Sequence, residues 1–131
     1  MASPITDFDT ADLVSEFVGK ANALIDKRAS LDYRTVTTTD TALTTDQIVY
    51  LDATAGAFTF TLYTVTGNEG LTLRLVKADS SGNAITVDGA GSEPVSVKGA
   101  WAATNYSLAT QGDAITIVAT STRWIVVARV S

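Results

Sequence analysis

Phe58-Thr59-Phe60-Thr61-Leu62 decides how this chain folds. Apolar and polar residues alternate strictly here, and successive side chains of a strand point to opposite faces. Phe58, Phe60 and Leu62 are expected to enter a core, and Thr59 and Thr61 to leave it. Outward from this stretch the same period recurs. Leu71, Leu73 and Leu75 alternate with Thr72 and Arg74, and Ile85 and Val87 flank Thr86. Val95 and Val97 alternate with Ser96 and Lys98, and Ile115 and Ile117 flank Thr116. Residues 33–39 and 47–52 are further candidates. Residues 106–108 form a weaker run, and residues 124–127 are apolar on both faces.

Turn chemistry separates these runs. Gly56, Gly67-Asn68, Gly70, Ser81-Gly82-Asn83, Gly89-Ala90-Gly91, Gly99 and Gly112-Asp113 tolerate positive φ. Strands recur at roughly 8–12 residues, the interval of an all-β sandwich or barrel. There is no room for βαβ crossovers. The expected fold is therefore mainly β: an N-terminal α-helix followed by an antiparallel β-sandwich or small β-barrel.

The helix belongs to residues 1–32, an arm distinct from the β-domain at 33–131. Leu13, Phe17, Ala21 and Leu24 follow a helical period, widened by Val14, Val18 and Ile25. Asp9 or Thr10 can cap the first turn, and the spacing predicts a helix over residues 10–29. A helix this amphipathic is marginal in water without an apolar partner. That partner is its own β-domain, a second subunit or another protein, and Ile5, Phe8, Leu13 and Phe17 are the candidate contacts.

Composition bounds the chemistry. Of the 131 residues, 46% are hydrophobic and 18% charged, enough apolar material for a core. The chain has no Cys and no His. Thiolate metal sites, Cys–His pairs, Ser–His–Asp triads and His-based acid–base chemistry are excluded. The net charge is -5, and the nine basic residues are scattered, so neither nucleic acid nor an anionic membrane is an expected partner. No segment approaches the ~20 apolar residues of a membrane span. Asp7, Asp9 and Asp12 stand where a signal peptide would be basic. The chain is expected to be made in the cytoplasm without a Sec-type address, and to need no cofactor.

Four stretches, in order, carry a resemblance. They are Val49-Tyr50-Leu51-Asp52-Ala53-Thr54-Ala55-Gly56-Ala57-Phe58-Thr59-Phe60-Thr61-Leu62, then Leu75-Val76-Lys77-Ala78-Asp79-Ser80-Ser81-Gly82-Asn83-Ala84-Ile85-Thr86-Val87, then Leu108-Ala109-Thr110-Gln111-Gly112-Asp113-Ala114-Ile115-Thr116-Ile117-Val118, and finally Trp124-Ile125-Val126-Val127. Together they resemble a β-module of bacteriophage virion proteins, found in tail fibres and in capsid decoration (cement) or head-fibre proteins. The resemblance runs from residue 48 to residue 127. It departs at Tyr63, where family members usually carry proline, and at residues 91–95, which lack the Ile-Asp-Gly often seen there. The resemblance implies a virion structural protein acting as a homotrimer. A fibre usually carries the module within a long chain, so a short chain with one helix looks more like a decoration protein on the capsid surface, bound to the major capsid protein or another virion protein. The alternative is a tail-fibre or receptor-binding module that recognises a host glycan.

Sharper readings of single motifs carry less weight. Asp79, Ser81 and Asn83 resemble the start of a calcium loop, but Ala90 stands where the bidentate carboxylate belongs. Asp88 and Glu93 flank a glycine-rich turn, with nothing to hold them at the spacing of a glycosidase pair. Gly89-Ala90-Gly91 lacks the helix and Lys of a phosphate loop. Asn105-Tyr106-Ser107 is a formal glycosylation sequon without a secretory signal. Trp124 reads as core, whereas Trp101 reads equally as core or as a partner-facing surface. Trp101, Ile125 and Val127 join the arm residues as expected capsid or subunit contacts. No residue is assigned a catalytic, cofactor-binding or metal-binding role.

Overall fold

The computed structural model describes residues 33–131 and, ahead of them, Val18 alone. The helix expected over residues 10–29, with Ile5, Phe8, Leu13 and Phe17, lies outside the described residues. The chain divides after Leu31, and the unit Asp32–Ser131 is the one considered below.

That unit is mainly β. Its strands are β1 (Tyr33–Val36), β2 (Asp40–Thr41), β3 (Ile48–Leu51), β4 (Phe58–Thr61), β5 (Thr72–Lys77), β6 (Ile85–Asp88), β7 (Val95–Ser96), β8 (Asn105–Leu108), β9 (Ala114–Ala119) and β10 (Trp124–Val130). They form a six-stranded sheet in the order β1-β3-β5-β9-β10-β7 and a four-stranded sheet in the order β2-β4-β6-β8. Every alternating run of the sequence is a strand. β2, which is short and polar, had no such signal.

The expected antiparallel pairing is corrected. From β1 to β9 the chain alternates between the sheets, odd-numbered strands in the larger and even-numbered in the smaller. Through β6 each return therefore arrives in the direction of the preceding strand of its sheet. β1–β3, β3–β5, β2–β4, β4–β6 and β7–β10 are parallel. Only β5–β9, β9–β10 and β6–β8 are antiparallel. Parallel neighbours need a crossover, usually helical. Here a strand of the opposite sheet supplies it, so the lack of room for helices did not exclude parallel pairs.

Both sheets feed one core. Leu73, Leu75, Ile115 and Ile117 from the larger sheet cluster with Phe58, Phe60, Ile85 and Val87 from the smaller. Each such side chain contributes about 1.5–3 kcal/mol when fully buried. Trp124 is fully buried among them, and its Nε1–H donates to the Tyr63 carbonyl at 3.2 Å. The Tyr63 ring meets the indole edge-on at 5.0 Å. The buried Tyr63 ring thereby extends the core.

Two ion clusters hold the turns. Lys77 stands in the inward row with Val36 and Leu51 and is wholly buried. Its Nζ meets both carboxylate oxygens of Asp79 at 2.8 Å. Arg34 grips Asp46 through Nε at 2.9 Å and Nη2 at 3.0 Å, and reaches Asp40 at 2.8 Å.

Candidate assembly surface

The register defines the outer face of the larger sheet. One row crosses it as Tyr33, Ile48, Arg74, Thr116 and Ala128. The next runs Thr35, Tyr50, Val76, Ala114 and Val130. A sheet face turned to water is normally polar, and parallel strands are normally covered on both faces. These rows are apolar or small apart from Arg74 and the threonines. Tyr33 is 69% exposed and Val130 66%. The Tyr33 and Tyr50 rings meet edge-on at 5.7 Å. Ile125, half-buried, lies opposite Val118 in a third row.

β10 reaches beyond its neighbour. β7 pairs with Trp124 and Ile125 only and then turns at Val97–Ala100. Past that point β10 pairs with β9 on one side, with a bulge between Val126 and Ala128. Among the described residues no strand lies on its other side. Val127 is 59% exposed at the bulge. A shallow groove of about 200 Å³ lies there, lined by Val97, Lys98, Val126, Val127 and Arg129. A second, of about 330 Å³, includes Arg74, Thr116, Ala128 and Val130.

Trp101 lies in the turn after β7 and is 55% exposed, so the core reading of this residue gives way. It is nonetheless held. Ser96, the register partner of Ile125, donates its hydroxyl to the Trp101 carbonyl at 2.5 Å. Arg123 Nη1 donates to the same carbonyl at 3.2 Å, and the guanidinium lies over the indole, 5.2 Å from its centroid. A cation–π contact at an exposed site contributes about 0.5–1 kcal/mol. Trp and Arg are also the residue types that most often anchor interfaces. Trp101, Ile125 and Val127 thus all belong to the β7–β10 side of the larger sheet.

Two of the carboxylates singled out in the sequence, Glu93 and Asp79, are tied into turns. Glu93 accepts from the Thr64 hydroxyl at 2.6 Å and the Val65 amide at 3.0 Å. Asp79 accepts from Lys77, the Ser81 hydroxyl and amide, and the Ala53 amide. Burial pushes the Asp79 carboxyl up, but those donors together overcome it and hold it well below the usual carboxylate range. Asn83 Nδ2 donates to the Ala53 carbonyl, binding residues 79–83 to the β3–β4 turn. Among the described residues no cluster of three or more acidic side chains is placed to hold a metal ion.

Sequence reasoning did not single out Tyr33, Tyr50 or Val130. The tyrosines meet only because β1 and β3 pair in parallel register, and Val130 follows Arg129, which interrupts the apolar run. The partnership of Arg123 with Trp101 spans a loop and had no local signal. In sequence comparisons, no protein family and no curated protein matches this chain.

Proposed function

We propose that this chain is a non-enzymatic virion structural protein, a capsid decoration (cement) protein that associates as a homotrimer and stabilises a phage head. The observation that carries the assembly reading is the apolar outer face of the larger sheet, where Tyr33, Tyr50 and Val130 stand on a surface that solvent alone would leave polar. The virion setting and the trimer come from the resemblance across residues 48–127. Subunit contact is the simplest cover for that face, since closed symmetric oligomers are the common way to bury one. A trimer that binds only the assembled shell shifts the equilibrium toward the shell, by about 2.7 kcal/mol per site at a hundredfold excess over Kd.

Light scattering tests it. The full-length protein is expected to weigh about three times its 13.7 kDa chain mass. Tyr50→Glu combined with Val130→Glu is expected to yield monomers that keep the β-sheet circular dichroism. A wild-type monomer would overturn the trimer.

A second reading keeps one observation of its own. Trp101 is exposed yet fixed by Arg123, which suits stacking on a sugar ring, as in a tail-fibre or receptor-binding module. Binding on a glycan array that vanishes in Trp101→Ala would favour it over decoration.

A further inference from the structure

We infer that the open edge of β10, Val126–Val130, receives an extended acidic segment of another protein as an added strand. The edge begins where β7 leaves it. β7 covers Trp124 and Ile125 and then folds back at Val97–Ala100, so an incoming strand would continue its line along β10. Backbone donors and acceptors there face no strand among the described residues. An edge in this state is a template for strand addition, in which main-chain bonds give affinity and flanking side chains give selectivity.

The flanking side chains specify charge. The groove beside the edge is lined by Val97, Val126, Val127 and Ala128 together with Lys98 and Arg129. Neither cation has a carboxylate partner among the described residues, whose ion pairs are those of Arg34 and Lys77. Arg74, in the adjoining groove, makes only a long contact of 3.4 Å to the Thr116 hydroxyl. The acids Asp46, Asp79, Glu93 and Asp113 are committed to turns elsewhere. Valines with unpaired cations suit a strand that alternates apolar and acidic residues.

The same cations argue against a second copy's β10 as the occupant. Two such edges side by side would bring Lys98 and Arg129 of both copies onto one seam, and charged edges discourage self-pairing. The inference goes beyond the decoration reading, because it rests on the pairing and charge of one strand and holds whatever the protein decorates.

Amide NMR of the full-length protein decides the matter. The probe is a seven-residue peptide alternating valine and glutamate, with its valine–lysine counterpart as control. The glutamate peptide is expected to shift the amide signals of Val126–Val130 and Lys98, and to bind at least about tenfold tighter than the lysine peptide. Lys98→Glu with Arg129→Glu, both at exposed positions, is expected to reverse that preference. Equal binding of the two peptides, shifts confined to other edges such as β1 or β8, or no shift at all would each overturn the inference. So would slow hydrogen exchange, in the free protein, of those amides of residues 126–130 that point away from β9, which would show the edge already filled.

Discussion

Lys77 makes its ion pair with Asp79 while wholly buried from the surface. Its pairing with Asp79 is satisfied by geometry, since both carboxylate oxygens, a serine hydroxyl and two amides converge. A buried pair of this kind is weak evidence for net stability, but breaking it is costly because one charge is left alone. Lys77→Met is therefore expected to destabilise by about 3–5 kcal/mol in urea titration. Lys77→Met with Asp79→Asn is expected to recover a good part of that, because the stranded charge is gone. Equal losses in the single and double variants would mean that packing, and not charge, is at stake.

The same carboxylate sets an acid dependence. Asp79 is depressed in the fold and regains its ordinary value of 3.8 on unfolding. Its contribution is whole above that value and is lost as pH falls through it toward the much lower folded value. Asp40 is also lowered, chiefly by the Arg34 hydrogen bond, and acts in the same direction. Stability is expected to be steady from neutral pH to about 5 and to fall steeply below about 4. Asp79→Asn is expected to start lower and to flatten that slope. An unchanged slope in the variant would remove Asp79 from the account.

At the element scale, the turn after β6 is where backbone meets backbone. A Cβ on Gly89 would lie 2.0 Å from the Glu93 carbonyl oxygen. Glu93 in turn holds Thr64 and Val65, so the turn cannot shift alone. Gly89→Ala is expected to cost about 1–3 kcal/mol, as overpacking does. Gly82→Ala, with nothing within 4 Å of the added carbon, is expected to stay within about 0.5 kcal/mol. Thermal melts of the two variants check the contrast, and equal melting temperatures would refute it.

The strands themselves were legible because a period of two is local: Leu73, Leu75, Ile115 and Ile117 each declare their face within five residues. The order of pairing was not legible. Whether β3 lies beside β1 depends on the excursion through β2, and Asp40-Thr41 is exposed, with no alternation to announce it. The surface was half legible. Ile125 and Val127 stood out because a strand apolar on both faces needs a second cover. The open edge depends on where β7 stops, a long-range fact that no window of sequence contains.

For the whole molecule, two kinds of contact are separable by salt. The outer face of the larger sheet is apolar, and burial of such area is indifferent to or strengthened by salt. The β10 edge is flanked by Lys98 and Arg129, and exposed charges are screened beyond about 10 Å at 0.1 M and about 3 Å at 1 M. The net charge of -5 adds mutual repulsion between subunits, which salt relieves. Raising sodium chloride from about 0.1 M to about 1 M is therefore expected to leave the trimer mass intact while weakening glutamate-peptide binding about tenfold. Removing residues 1–31, a separate unit, is expected to leave a trimer of the shorter chain. A trimer that dissociates in salt would transfer its interface from the tyrosine rows to charged groups. A trimer lost with residues 1–31 would transfer it to that unit, and the apolar face of the larger sheet would then need a different partner.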